Sequence, residues 1–305
     1  MSIENPILRI EGRIAEIGPG MKIARMIPNR FQRTIGAWCF LDHAGPVNFA
    51  EGSGMHVHPH PHIGLQTFTW MIEGQVRHID SLGNSQMIYP NQVNLMTAGK
   101  GISHAEVSPT DKASTLHAAQ LWIALDDSHR QMEPQFQNYP DLPTVETECF
   151  QATVLVGSCL GVTSPVSVFT PLVAVDLVAK QTSTFELELY PNFEYGITLL
   201  EGEATVDGES LETGTLLYFA TGNTNVTISC HAATRILMIG GEPFKEDILL
   251  WWNFVARTQA EMEKARSDWA MESPLFGVIT DPIAGPRLDA PSLEGLHLKS
   301  GSRTN

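Results

Sequence analysis

Along most of the chain, hydrophobic and polar residues alternate with a period of two, in short runs separated by glycine, proline, asparagine or aspartate. That is the pattern of strands packed in a β-sandwich or barrel. The run 66–72 places Thr67, Thr69 and Met71 on one face and Phe68, Trp70 and Ile72 on the other. Glu73-Gly74 then turns the chain into the run 75–80, which predicts a hairpin. The arrangement recurs: Leu199-Leu200-Glu201-Gly202 matches Met71-Ile72-Glu73-Gly74 at an offset of 128, and Phe219-Ala220-Thr221-Gly222 echoes Met96-Thr97-Ala98-Gly99 at an offset of 123. Two echoes in the same order predict two similar all-β domains in tandem. The proline-bearing stretch 137–148 marks the expected boundary, giving domains over 1–140 and 145–285 and a tail over 286–305. Near the end, Thr258-Gln259-Ala260-Glu261 has capping-box spacing, with Met262, Ala265, Arg266 and Trp269 at helical intervals behind it. One short helix is expected there.

Composition narrows the function classes. With 19 basic and 34 acidic residues the formal net charge is −15, and no lysine- or arginine-rich run offsets it. Such a surface repels phosphate backbones and anionic membranes, which argues against direct nucleic-acid binding. No stretch approaches the roughly 18 consecutive apolar residues of a membrane span, and the start Met1-Ser2-Ile3-Glu4-Asn5-Pro6 lacks a leader pattern. A cytoplasmic protein is expected. Cys39, Cys149, Cys159 and Cys230 are widely spaced and read as reduced, mostly core residues.

Nine of the 11 histidines lie within the first 130 residues, which places the chemistry in the first half. The segment Met55-His56-Val57-His58-Pro59-His60-Pro61-His62-Ile63-Gly64 and the segment Thr97-Ala98-Gly99-Lys100-Gly101-Ile102-Ser103-His104-Ala105-Glu106 each carry donors two residues apart. Residues i and i+2 of a strand share a face, so His60/His62 and His104/Glu106 can each aim two donors into one interior. Three imidazoles and a carboxylate suit iron, manganese, nickel, copper or zinc and match calcium or magnesium poorly. Parity alone does not choose among His56, His58, His60 and His62.

His60-Pro61-His62-Ile63-Gly64 with Thr67, the turn Glu73-Gly74, and the run from Met96 through Glu106 resemble the signature of the pirin family, a branch of the cupins. His117-Ala118-Ala119-Gln120-Leu121-Trp122-Ile123 and Gly240-Gly241-Glu242-Pro243 resemble further landmarks of that family. The resemblance implies a bicupin of two jelly-roll barrels with one metal, usually iron, held in the N-terminal barrel by His60, His62, His104 and Glu106. It leaves His56 and His58 for the pocket mouth. Gln66 stands where cupins commonly carry glutamate and is expected to support the ligands by hydrogen bonding. The offsets carry His60 and His62 to Glu188 and Tyr190, and His104 and Glu106 to Thr227 and Ser229, so no ligand set is expected in the second barrel. Some pirin-like proteins open the ring of flavonols such as quercetin, which implies a dioxygenase acting on a small phenolic substrate with dioxygen. Glu106 is then also the base for the substrate hydroxyl, and Lys100 a counter-charge for the enolate. The alternatives are a non-catalytic metal or redox sensor working through a protein partner, as eukaryotic pirins resemble, and a zinc- or manganese-dependent lyase or isomerase.

Overall fold

The computed structural model describes residues 7–17 and 21–300. Residues 1–6, read above for a leader, and residues 301–305 of the tail lie outside them. The alternating runs fold as strands, and seven of them form each repeat. The first repeat holds β1 (His56–His62), β2 (Leu65–Glu73), β3 (Val76–Asp80), β4 (Ser85–Ile88), β5 (Val93–Thr97), β6 (Ile102–Val107) and β7 (Ser114–Ala124). The second holds β8 (Ser183–Glu188), β9 (Glu194–Glu201), β10 (Ala204–Val206), β11 (Glu209–Leu211), β12 (Thr215–Phe219), β13 (Asn225–Cys230) and β14 (Arg235–Gly241). Each repeat divides its strands in the same way. One four-stranded sheet has the order β1-β6-β3-β4 in the first repeat and β8-β13-β10-β11 in the second, and β5-β2-β7 and β12-β9-β14 are neighbours in the two larger sheets. Every strand therefore has its counterpart seven strands later, the topology expected of a duplicated jelly-roll.

The turns at Glu73-Gly74 and Glu201-Gly202 do not make hairpins. β2 pairs with β5 and β7, whereas β3 pairs with β6 and β4. The turn carries the chain from one sheet to the other, and the second repeat does the same between β9 and β10. Glycine is required at both corners. Gly74 has φ +88°, and a Cβ there would sit 2.2 Å from the Thr115 carbonyl oxygen; Gly202 has φ +87°, with Thr234 Cα 2.7 Å from the same hypothetical atom. A run buried on both faces, as β2 is from Leu65 to Ile72, has lost the solvent face of an ordinary hairpin arm.

The compact units are not the contiguous segments 1–140, 145–285 and 286–305. One unit comprises the described parts of Met1–Ile14, Ala24–His43 and Asp141–Phe244, and the other those of Ala15–Ile23, Ala44–Pro140 and Lys245–Asn305. Pairing explains part of this exchange, since Leu8–Glu11 runs antiparallel to β12 with Leu8 opposite Tyr218. The expected helix, α1 (Gln259–Ala270), has its capping box in place: Glu261 N donates to the Thr258 hydroxyl, and the Glu261 carboxylate accepts from the Thr258 backbone. Its buried face of Met262, Ala265 and Trp269 joins Leu249, Phe254, Phe276 and Leu293 in a satellite core within the unit that holds β1 to β7. The tail packs on the same unit, with Leu288 N donating to the Pro59 carbonyl and Trp269 Nε1 to that of Leu288.

The interior of the second repeat is an apolar core that includes Leu187, Leu199, Val226, Ile228, Met238 and Phe219. Leu187 pairs with Val226 and Phe185 with Ile228 across β8 and β13. Glu188 and Tyr190, reached by the sequence offset, are exposed, and Thr227 and Ser229 are half-buried. The echo is thus one residue out of phase in these strands, and a one-residue slip exchanges the faces. No described helix is long and apolar enough to cross a membrane.

Candidate metal centre

The ligand strands β1 and β6 lie side by side and antiparallel, with His104 opposite His60 and Ile102 opposite His62. This pairing brings three imidazoles together. His60, His62 and His104 each offer a ring nitrogen, these atoms lie within 4.8 Å of one another, and no other such group of three occurs among the described residues. All three rings are buried, at 6%, 1% and 2% exposure. Burial drives their pKa values down, to about 4 for His60 and well below the ordinary value for His62 and His104, so the rings are neutral. The edge of His62 meets Trp122 at 5.2 Å between centroids, an apolar wall on that side.

Hydrogen bonds decide which nitrogen of each ring faces inward. His60 Nδ1 lies 2.8 Å from the His58 carbonyl oxygen and His62 Nδ1 lies 2.9 Å from that of Asn253. A carbonyl only accepts, so both Nδ1 atoms carry the proton and both Nε2 atoms present lone pairs. Asn253 lies 191 residues further along, in the segment that returns after the second repeat. Its neighbours bind the strand as well: Val255 N donates to the Ile63 carbonyl.

His62 Nε2 and His104 Nε2 are 3.1 Å apart. Imidazole–metal bonds of about 2.0–2.1 Å would put two nitrogens at right angles about 2.9 Å apart, so the donor set fits a transition metal in chemistry and in spacing. The His62 lone pair faces another ring nitrogen of the cluster, His104 Nε2, and no carbonyl fixes the proton of that third ring.

Glu106 lies outside this group of three. The register of β6 on β1 shifts between His104 and Glu106, where Glu106 faces Val57, so spacing of two does not carry the same partners forward. The residue is half-buried, and burial of its carboxyl pushes the pKa up to about 7. His56 Nε2 and His58 Nδ1 lie 3.0 and 3.2 Å from one acceptor, the Ala284 carbonyl oxygen. They hold the short 3-10 turn Pro282–Ala284 and take no part in the cluster. Gln66 Nε2 donates to the Thr97 hydroxyl at 2.9 Å. Lys100 pairs with Glu133 and lines a cavity of about 300 Å³ with Ile63, Gly64, Arg130, Glu261 and Lys264.

Two further residues belong to the site. His78, on β3, lies with its Nδ1 3.3 Å from His104 Nδ1 and its Nε2 2.9 Å from Asp80 Oδ2. Burial opposes ionisation of Asp80, but hydrogen bonds from His78 and Asn84 outweigh it and hold the carboxyl below its ordinary value. His78-x-Asp80 carries the same two-residue spacing as the ligand pairs, and that was its one signal in the sequence. The Asn253 carbonyl had none, because any residue type supplies it.

The comparisons with known proteins agree with this architecture. Residues 20–123 match the Pirin family and residues 174–273 match the Pirin C-terminal cupin domain. Among curated proteins, "Putative quercetin 2,3-dioxygenase PA1205" of Pseudomonas aeruginosa is 46% identical over 290 residues, covering 95% of this chain and 91% of its own. A pirin-like protein of Caulobacter vibrioides is 33% identical over 271 residues, covering 86% and 92%. Among solved structures, quercetin 2,3-dioxygenase from Acinetobacter baumannii superposes with a TM-score of 0.94 at 53% identity, covering 97% of this chain and 98% of that one. The nickel(II) complex of the bacterial pirin YhhW from Escherichia coli shares the fold at 16% identity, with a TM-score of 0.62 and coverage of 78% and 100%. Duplicated barrels, a histidine cluster confined to the first of them, and a match over both domains together assign this chain to the pirin family of bicupins.

Proposed function

We propose that this pirin is a metal-dependent dioxygenase that opens flavonol-like phenolic substrates with dioxygen. The observation that carries the proposal is the buried trio His60, His62 and His104, whose ring nitrogens converge, with the lone pairs of His60 and His62 turned away from the carbonyls that fix their protons. The 46% and 53% identical relatives that bear the quercetin 2,3-dioxygenase name support the substrate class. A redox-active metal, iron ahead of manganese, nickel or copper, would supply Lewis acidity toward a phenolate and one-electron chemistry toward dioxygen, whereas zinc would supply the Lewis acidity alone.

The chain's own residues do the rest. His60, His62 and His104 hold the ion through Nε2, and their burial keeps water from competing. Glu106 is proposed as fourth ligand and as general base: burial raises its carboxyl to about 7 in the metal-free chain, a bound cation favours the carboxylate, and that carboxylate takes the substrate hydroxyl proton on its free oxygen. His56 and His58, tied to Ala284, shape the approach.

The test is metal analysis of chain purified without added metal, followed by oxygen-dependent consumption of quercetin per bound metal. One metal per chain and turnover that is lost in Glu106→Gln by more than its occupancy explains, by about 10²- to 10⁴-fold, is the expected result. Full metal occupancy with no turnover of any flavonol or catechol would replace the enzyme with a regulatory metal site.

A further inference from the structure

The proton positions of His60 and His62 are dictated by carbonyl oxygens. That of His104 is dictated by nothing so direct. Its Nδ1 faces another imidazole nitrogen, His78 Nδ1, at 3.3 Å, and its Nε2 faces His62 Nε2 at 3.1 Å. One proton on the His104 ring has two places to go, and only one of them leaves Nε2 open to a metal.

Asp80 supplies the missing information. Its Oδ1 accepts from the backbone amides of Leu82 at 2.9 Å and Asn84 at 3.1 Å and from the Asn84 side-chain amide at 3.1 Å, while its Oδ2 accepts from the same side-chain amide at 2.9 Å and meets His78 Nε2 at 2.9 Å. A carboxylate so surrounded only accepts, so His78 Nε2 carries a proton. A His78 ring holding that single proton presents a bare Nδ1, which accepts from His104 Nδ1–H, and His104 Nε2 is left as a lone pair. Phe136 stacks on the His78 ring at 4.1 Å and 8°, which holds the ring plane that this chain of bonds needs. We propose that the His78–Asp80 pair is a positioning unit that locks His104 in the tautomer with Nε2 free to bind the metal. This rests on the metal reading above. Neither residue is placed on the ion or on the substrate; both act through the His104 ring.

The surroundings of Asp80 make the proposal sharp. In Asp80→Asn, the two backbone amides of Leu82 and Asn84 keep the amide oxygen on the Oδ1 side, which turns the new NH₂ group toward His78 Nε2. His78 must then accept there and carry its proton on Nδ1, so His104 Nδ1 becomes the acceptor and its proton moves to Nε2, toward His62. A substitution of one oxygen by nitrogen, two rings away, closes one of the three metal donors. Asn84→Ala removes the side-chain hydrogen bonds to both oxygens of the same carboxylate without reversing any donor and serves as the control.

Long-range ¹H–¹⁵N correlation spectra of the metal-free full chain read the His104 tautomer directly, and a chelator-competition titration with Zn²⁺ reads affinity. The parent chain and Asn84→Ala are expected to show His104 protonated on Nδ1. Asp80→Asn is expected to show it on Nε2 and to bind Zn²⁺ about 10- to 100-fold more weakly, the range typical for loss of a ligand's outer partner. The parent spectrum alone is decisive if Asp80→Asn does not fold, because an Nε2-protonated His104 there overturns the proposal. An unchanged tautomer in a folded Asp80→Asn, or a reversed tautomer with unchanged Zn²⁺ affinity, overturns it too. Tautomers as expected in a parent chain that binds no Zn²⁺ would overturn the metal reading itself, and with it the role of the pair.

Discussion

Burial of Glu106 should make the metal-free fold less stable at neutral pH. The perturbation is Glu106→Gln, which keeps the side-chain shape and abolishes the titration. Burial raises the folded-state pKa from 4.5 to about 7, so ionising the group in the fold is penalised. The sign follows from proton binding: between these values the folded state holds more protons than the unfolded one, so the group's contribution is fully favourable below pH 4.5 and is lost as pH rises through about 7. Linkage with these two constants gives a penalty of about 0.8 kcal/mol at pH 5 and about 3 kcal/mol at pH 7. The difference, about 2 kcal/mol, is an upper value because Glu106 as a residue is only half-buried. Urea unfolding of metal-free protein, followed by tryptophan fluorescence, should therefore show Glu106→Gln gaining on the parent by up to about 2 kcal/mol between pH 5 and pH 7. A stability difference that is flat with pH, or that moves the other way, would refute the reasoning. A bound cation favours the carboxylate, so loading the site with metal should erase the variant's advantage.

Three further outcomes are expected. His62→Ala should lose most bound metal, whereas His58→Ala, whose ring is bonded to Ala284 and lies outside the cluster, should retain it; equal loss by elemental analysis would show that the ligand pair is misassigned. Trp269→Ala, which removes a 3%-exposed ring from the satellite core and the hydrogen bond to Leu288, should cost about 3–5 kcal/mol in denaturant unfolding. Thr258→Ala should cost only about 1 kcal/mol by the same assay, the value of an N-cap, and a loss as large as that of Trp269→Ala would mean that the cap organises more than its own helix.

Much of this protein was legible from local pattern. Alternation of period two marked the strands, the repeated Glu-Gly corners marked the duplication, and Thr258 with Glu261 marked the start of the one helix, because each signal involves atoms only a few residues apart. The two-residue spacing of His60/His62 likewise announced shared faces. What closed packing decided is everything that depends on a partner far along the chain. The Glu73-Gly74 corner reads as a hairpin because a turn is local, yet β2 finds β5 and β7 while β3 finds β6, and only the closing of two sheets settles that. Parity among His56, His58, His60 and His62 is identical in the sequence; the placement of His104 opposite His60, and of Ala284 against His56 and His58, separates the histidines that cluster from those that hold the 3-10 turn. In the second repeat a slip of one residue turned the offset positions outward and gave the interior to Leu187, Val226 and Ile228. The proton positions on the ligand rings were least visible of all, since they rest on a carbonyl at Asn253 and a carboxylate at Asp80, and these meet the histidines only when the barrel has closed and the segment after residue 245 has returned to it.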